Sequence, residues 1–129
     1  MRILFDTNVL VSAFMHGGAS CDVIEQAIHG NEVFYTDFII GEFRKVFTKK
    51  FHYSEAFTDE YIKFMRKFFL KGNTAEEKED ICRDPDDNQV LADALISKID
   101  AIITGDKDLL VLKKYKGIRI ILPKKYWEL

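Results

Sequence analysis

The sequence predicts an α/β domain built on a central, mainly parallel sheet of four to five strands. Short β-branched runs at Ile3–Phe5, Val33–Tyr35, Ala101–Ile103 and Ile118–Leu122 alternate with longer helical patterns, the order that winds into βαβ units. A chain of 129 residues with 47% hydrophobic content has the size of one domain and enough apolar material to close a core. No repeat, low-complexity tract or linker divides it, so residues 1–129 read as one unit.

Each element has its own punctuation. The run Ile3–Phe5 ends at Asp6, the carboxyl end of the first strand. Ser20–His29 reads as a helix stopped by Gly30-Asn31. After Val33–Tyr35, Thr36 or Asp37 caps a helix over Asp37–Lys49, on which Phe38, Ile39, Glu42 and Val46 share a stripe. Residues 54–71 form the clearest helix. Phe57, Tyr61, Phe64, Met65, Phe68 and Phe69 recur at helical spacing up to Gly72-Asn73, an aromatic stripe suited to a core or a subunit interface. Its breadth leads us to expect a homodimer or larger assembly.

In Arg83-Asp84-Pro85-Asp86-Asp87-Asn88, Asp84 is the expected N-cap and Pro85 the first residue of a helix running to about Lys98. Val90, Leu91, Ala94, Leu95 and Ile99 form its apolar face. Asp87, three and four residues before the first two of these, points toward the core, and Asp93 away from it. After Ala101–Ile103, Asp106 or Asp108 caps a short helix at Leu109–Lys114.

Charge is unevenly spread beneath a formal net of -2: residues 76–108 hold 11 acids against 4 bases, residues 43–71 hold 8 bases against 3 acids, and residues 109–129 hold 6 bases against 1 acid. An acidic centre between basic segments suits a metal site that serves a polyanion, although solvated surface charge gives the same pattern. Cys21 and Cys82 are too few for a disulfide framework. The start of the chain lacks the pattern of an export signal, and no apolar stretch approaches the ~20 residues of a membrane span. A cytoplasmic protein without membrane contact is expected.

Four carboxylates occupy expensive positions. Asp6 and Asp106 follow predicted strands, Asp87 opens a helix on its core side, and Glu42 shares an apolar stripe. Each has an ordinary explanation as a turn residue, a cap, a partner of the helix dipole, or a boundary Glu whose stem covers apolar surface. Their conjunction is harder to explain, because acids gathered at one sheet edge repel unless a cation or hydrogen bonds compensate them. His16, His29 and His52 lack zinc-ligand spacing, and no Walker A, G-x-G-x-x-G or G-x-S-x-G motif occurs. Covalent hydrolase chemistry has no support from a serine with a His-acid partner.

On Leu4-Phe5-Asp6-Thr7-Asn8-Val9-Leu10-Val11-Ser12-Ala13, Glu42, Arg83-Asp84-Pro85-Asp86-Asp87-Asn88 and Ile103-Thr104-Gly105-Asp106-Lys107-Asp108-Leu109-Leu110, the chain resembles the PIN-domain ribonucleases, and among them the VapC-like toxins of toxin–antitoxin pairs. The resemblance implies a three-layer α/β/α sandwich and an acidic pocket for Mg²⁺ or Mn²⁺. Asp6, Glu42, Asp87 and Asp106 match the family's acidic quartet. The helix face selects Asp87 from its acidic run, where Asp84 and Asp86 are the alternatives. Asp108 matches a further acid, and Asn8 and Thr104 match supporting polar residues.

The reading that results is metal-dependent hydrolysis of RNA phosphodiester bonds, and the resemblance implies that the cut is endonucleolytic. Asp6 and Asp106 are the principal ligands, Glu42 and Asp87 complete the site, and Arg44, Lys45, Lys49, Lys50 and Lys107 hold the phosphate backbone. An antitoxin is the expected protein partner. Two other classes fit less well. A phospho-acceptor receiver domain would pair acids near the first strand, and a non-catalytic PIN-like module would bind RNA or a partner without cutting.

Overall fold

The computed structural model describes Met1–Leu129. In chain order its strands are β1 (Arg2–Phe5), β2 (Glu32–Tyr35), β3 (Leu70–Lys71), β4 (Ala101–Ile103), β5 (Lys114–Tyr115) and β6 (Ile118–Ile121), arranged β3-β2-β1-β4-β6-β5. All pairings are parallel except β5 with β6. Six strands replace the expected four to five, because β3 and β5 are two-residue edge strands too short for a periodic signature. β3 lies in the expected helix 54–71, and β5 begins at the end of the expected helix 109–114.

Ile3, Leu4 and Phe5 of β1 and all of β4 are at most 1% exposed. Neither strand alternates, so both faces of the central sheet are covered, as a three-layer sandwich requires. Next to the edge the pattern returns: Ile118 and Ile120 of β6 are buried and Arg119 is exposed. The order is not that of a receiver domain, where the second and third strands flank the first. Here β3 lies outside β2 and β4 neighbours β1.

The helices are α1 (Thr7–His16), α2 (Gly18–Gly30), α3 (Asp37–Lys45), α4 (Glu55–Phe68), α5 (Pro85–Ile96) and α6 (Lys107–Leu110), with 3-10 turns at Pro123–Glu128. Asp6 accepts from Thr7 N at 2.8 Å, Thr36 Oγ1 from Ile39 N at 3.2 Å, Ser54 Oγ from Phe57 N at 3.1 Å, and Asp84 from Asp86 N at 2.9 Å. Asp106 takes the cap of α6, accepting from Asp108 N at 2.9 Å. The helix expected over Asp37–Lys49 becomes α3 followed by a π-helical turn, Val46–Lys50. No sequence periodicity reports such a turn.

Most of the aromatic stripe on α4 is consumed within the chain. Phe14 of α1 packs against Phe43 (5.7 Å between centroids), Tyr61 (4.9 Å) and Phe64 (5.8 Å), and Phe47 bridges Phe43 and Tyr61. Met65 and Phe69 are buried, while Phe57 and Phe68 remain exposed.

Asp93 departs from expectation. Instead of facing water it is 0% exposed, because the segment between β3 and α5 folds over that face of the helix. Its Oδ1 accepts from Ala75 N at 2.7 Å and Gln89 Nε2 at 2.8 Å, and Ser97 Oγ accepts from Asn73 N at 2.8 Å. Gly72 allows this approach: a Cβ there would stand 2.8 Å from Ser97 Oγ and 3.3 Å from the carbonyl of Tyr35. Gly72→Ala is therefore expected to cost about 1–3 kcal/mol and to speed hydrogen exchange at Asn73 and Ala75. An unchanged melting temperature with unchanged exchange would show that the clasp is not tight.

Candidate active site

The carboxyl edge of the sheet carries the site because the register puts it there. Phe5 lies opposite Ile103, so Asp6 and Thr104 leave adjacent strands side by side, and Asp6 N donates to the carbonyl of Ile103 at 2.9 Å. The Thr104 hydroxyl, on a residue with no exposed surface, donates to Asp6 Oδ2 at 2.7 Å and accepts from Asp106 N at 3.0 Å. Asn8 closes the same ring, donating weakly to Asp6 at 3.5 Å and accepting from Gly105 N at 3.2 Å. Thr104 and Asn8 thus fix Asp6 relative to the Gly105-Asp106 turn.

A cleft of about 420 Å³ opens above them. Asp6, Glu42, Asp87 and Asp106 all line it, joined by Asp84 and Asp86. Val11, Met15, Phe38, Val46, Phe51 and Val90 supply apolar wall, and His16 and Lys50 also face it. β1, β4, α3 and α5 each contribute part of the quartet.

The acids are arranged unequally. Asp87, Asp106 and Asp108 offer carboxylate oxygens within 4.8 Å of one another, which makes Asp108 part of the tightest group. Asp87 is 7% exposed and its Oδ2 has no hydrogen-bond partner. Burial, then the hydrogen-bonded and charged neighbour Asp106, then Asp6 and Asp84, push its pKa from the ordinary 3.8 up to about 7. Burial likewise raises Asp6, against the lowering effect of its bonds from Thr104 and Thr7 and with the charges of Asp106 and Glu42 adding to the rise. Glu42 accepts from Lys45 Nζ at 3.3 Å. Asp108 accepts from Arg83 Nη2 at 2.8 and 3.1 Å. An oxygen-only donor set with an orphaned buried carboxylate oxygen fits a hard divalent cation.

The basic residues divide. Only Lys50 of the five expected on the phosphate path lines the cleft. Arg44 is committed to Glu55 (2.7 Å) and Asp59 (2.8 Å), tying α3 to α4. Lys45 is held by Glu42, while Lys49 and Lys107 are exposed outside the cleft wall. Sequence reasoning missed Asn88, whose buried Oδ1 accepts from Ile81 N and Cys82 N and so shapes the turn carrying Arg83. His16 and Phe51 were also missed. Nothing in the sequence marks either, since only the packing of α1 against α3 brings them to one cleft.

A family model described as PIN domain matches residues 2–108. No curated protein matches the chain. Among solved structures, that of VapBC2 from Rickettsia felis bound to a DNA fragment from their promoter contains a similar chain, with a TM-score of 0.68 at 12% identity, covering 93% of this chain and 97% of that one.

Two expectations follow from the electrostatics. The folded pKa values of Asp6 and Asp87 lie above their unfolded values, so the native state holds these protons more tightly. Without divalent ions, the contribution of Asp87 to stability is fully present below about pH 4 and lost as pH rises through about 7, and that of Asp6 is likewise lost as pH rises above the ordinary aspartate range. Asp87→Asn should raise the melting temperature at pH 8 and flatten this decline; an equally steep pH profile in the variant would contradict it. Arg83 is 87% exposed in its side chain, and such surface pairs contribute at most about 1 kcal/mol. Arg83→Ala should then free Asp108 and tighten Mn²⁺ binding up to about fivefold by calorimetry, whereas weaker binding would make Arg83 a support of the site.

Proposed function

The chain belongs to the PIN-domain family, and from that membership and its acidic cleft we propose that it is a Mg²⁺- or Mn²⁺-dependent endoribonuclease, the toxin of a toxin–antitoxin pair. The observation that carries the reading is the convergence of Asp6, Glu42, Asp87 and Asp106 on one cleft, where the buried Asp87 Oδ2 has no hydrogen-bond partner. Four acids drawn from elements far apart in sequence are costly to fold together unless a cation compensates them.

Asp6, Asp87 and Asp106, with Asp108 beside them, would hold the ion or ions, and Glu42, free of the strand-edge network, orients the attacking water. Bound there, a divalent cation lowers the pKa of that water and offsets charge on the attacked phosphate. Thr104 and Asn8 keep Asp6 in position, and Lys50 receives the substrate backbone. The antitoxin partner is an extension from the VapBC2 likeness, which rests on fold. The exposed rings of Phe57 and Phe68 make the same face of α4 available for a homodimer or larger assembly. A cytoplasmic location fits this role, and no helix is long and apolar enough to cross a membrane.

The test is cleavage of single-stranded RNA with and without Mg²⁺ or Mn²⁺. Asp6→Asn and Asp106→Asn should reduce cleavage to background while leaving the metal-free fold as stable or more so. Thr104→Val, which removes the bond that orients Asp6, should cost about 10–100-fold. Full activity in EDTA, or in both asparagine variants, would overturn the proposal.

A further inference from the structure

The wall of the cleft holds a partly exposed aromatic ring. Phe51 is 37% exposed and lines the cleft, so it presents ring surface that a core position would have buried. Its place is set by the π turn. Phe38, Glu42 and Val46 follow one another at helical spacing along the cleft-facing side of α3 and into the π turn. An ordinary helix would continue that row with residue 50 alone. The wide turn instead bonds Phe51 N to the carbonyl of Val46 at 3.1 Å, which brings Phe51 onto the same row while Lys50 stays beside it. The chain then reverses through His52, in the left-handed region at φ 60°, and Tyr53 N bonds the carbonyl of Phe47 at 2.9 Å. π turns recur at functional positions, and this one holds a partly exposed ring on the cleft wall.

The charges around the ring select its ligand. The Lys50 ammonium lies 5.5 Å from the Phe51 centroid, and His16, the last residue of α1, lines the same cleft. A basic peptide would suit the acidic floor but meet like charge beside the ring. An uncharged apolar segment would leave the floor uncompensated. A nucleotide satisfies all three surfaces, with its phosphate on the metal side, a flanking phosphate toward Lys50 and His16, and its base against the ring. We propose that Phe51, with Lys50 and His16, forms a stacking subsite for a nucleotide of single-stranded RNA flanking the scissile phosphate. This rests on the nuclease reading and assigns it a substrate form: the base must be unpaired to reach the ring, so duplex RNA is excluded. Stacking without base-edge contacts also predicts little sequence preference at this position.

The experiment measures oligouridylate binding in the Asp6→Asn protein with Mg²⁺, where turnover is blocked. Phe51→Ala should weaken binding by about 5–150-fold. Phe51→Trp should retain it, with indole fluorescence quenched on binding relative to the protein that has Trp127 alone. An abasic phosphodiester of the same length should bind more weakly and be indifferent to the Phe51 substitutions. Should the alanine variant lose its fold, quenching in the tryptophan variant decides. Equal affinity of the alanine variant and its parent, or no quenching on binding, overturns the subsite alone. Failure of the parent to bind either oligonucleotide overturns the nuclease reading, and the subsite with it.

Discussion

The parallel alignment of β1 with β4, Phe5 opposite Ile103, is the constraint on which the rest of the site depends. It joins segments almost a hundred residues apart and leaves Asp6 and Thr104 as neighbours beyond the last ladder bonds. A slip of one residue would turn Asp6 to the other face of the sheet and break the Thr104 bridge. Because neither strand alternates, the register is pinned at the ends of the apolar runs: Ile3–Phe5 and Ala101–Ile103 fill the covered faces, and a slip would draw the flanking Asp6 or Asp100 into them. Hydrophobic burial thus fixes the geometry of a polar site whose caps and hydrogen bonds only partly offset the cost of its buried charge.

That site is a local departure from optimal stability. Asp6 and Asp106 serve as helix caps, and Asp87 sits in the first turn of α5, so each receives partial compensation from backbone N–H groups and helix dipoles. The remainder is not compensated: Asp87 Oδ2 has no partner, and both Asp6 and Asp87 hold their protons above the ordinary aspartate range. The two surrounding ion pairs, Lys45 with Glu42 and Arg83 with Asp108, are exposed and weak. They offset peripheral charge without sealing the cleft.

Opposite the acids, the cleft wall is built by packing instead of hydrogen bonding. Phe14, Phe43, Phe47 and Tyr61 lock α1, α3 and α4 together, and Arg44 secures the α3–α4 contact at the surface. This aromatic core lets the π turn persist in place of a regular helix end. Arg44, one of the five basic residues expected on the phosphate path, became a structural tie, whereas Lys50 lines the cleft and Phe51 joins it through the irregular turn.

Alternating apolar runs and helical stripes determined the parallel α/β architecture, because long periodic segments encode which face must be buried. Asp84 and Pro85 announced the start of α5, and all four members of the acidic quartet were legible as acids in costly positions that proved to line one cleft. Local signals could not report β3, β5, the π turn or the burial of Asp93, since each depends on a neighbour distant in sequence. The choice of Asp106 over Asp108 as cap, the pairing of Asp108 with Arg83, and the entry of His16 and Phe51 into the cleft are of the same kind. Sequence fixes what a residue costs to bury; only the tertiary structure decides which distant group stands beside it, because contact across the fold follows strand register and helix packing and leaves no local period to read.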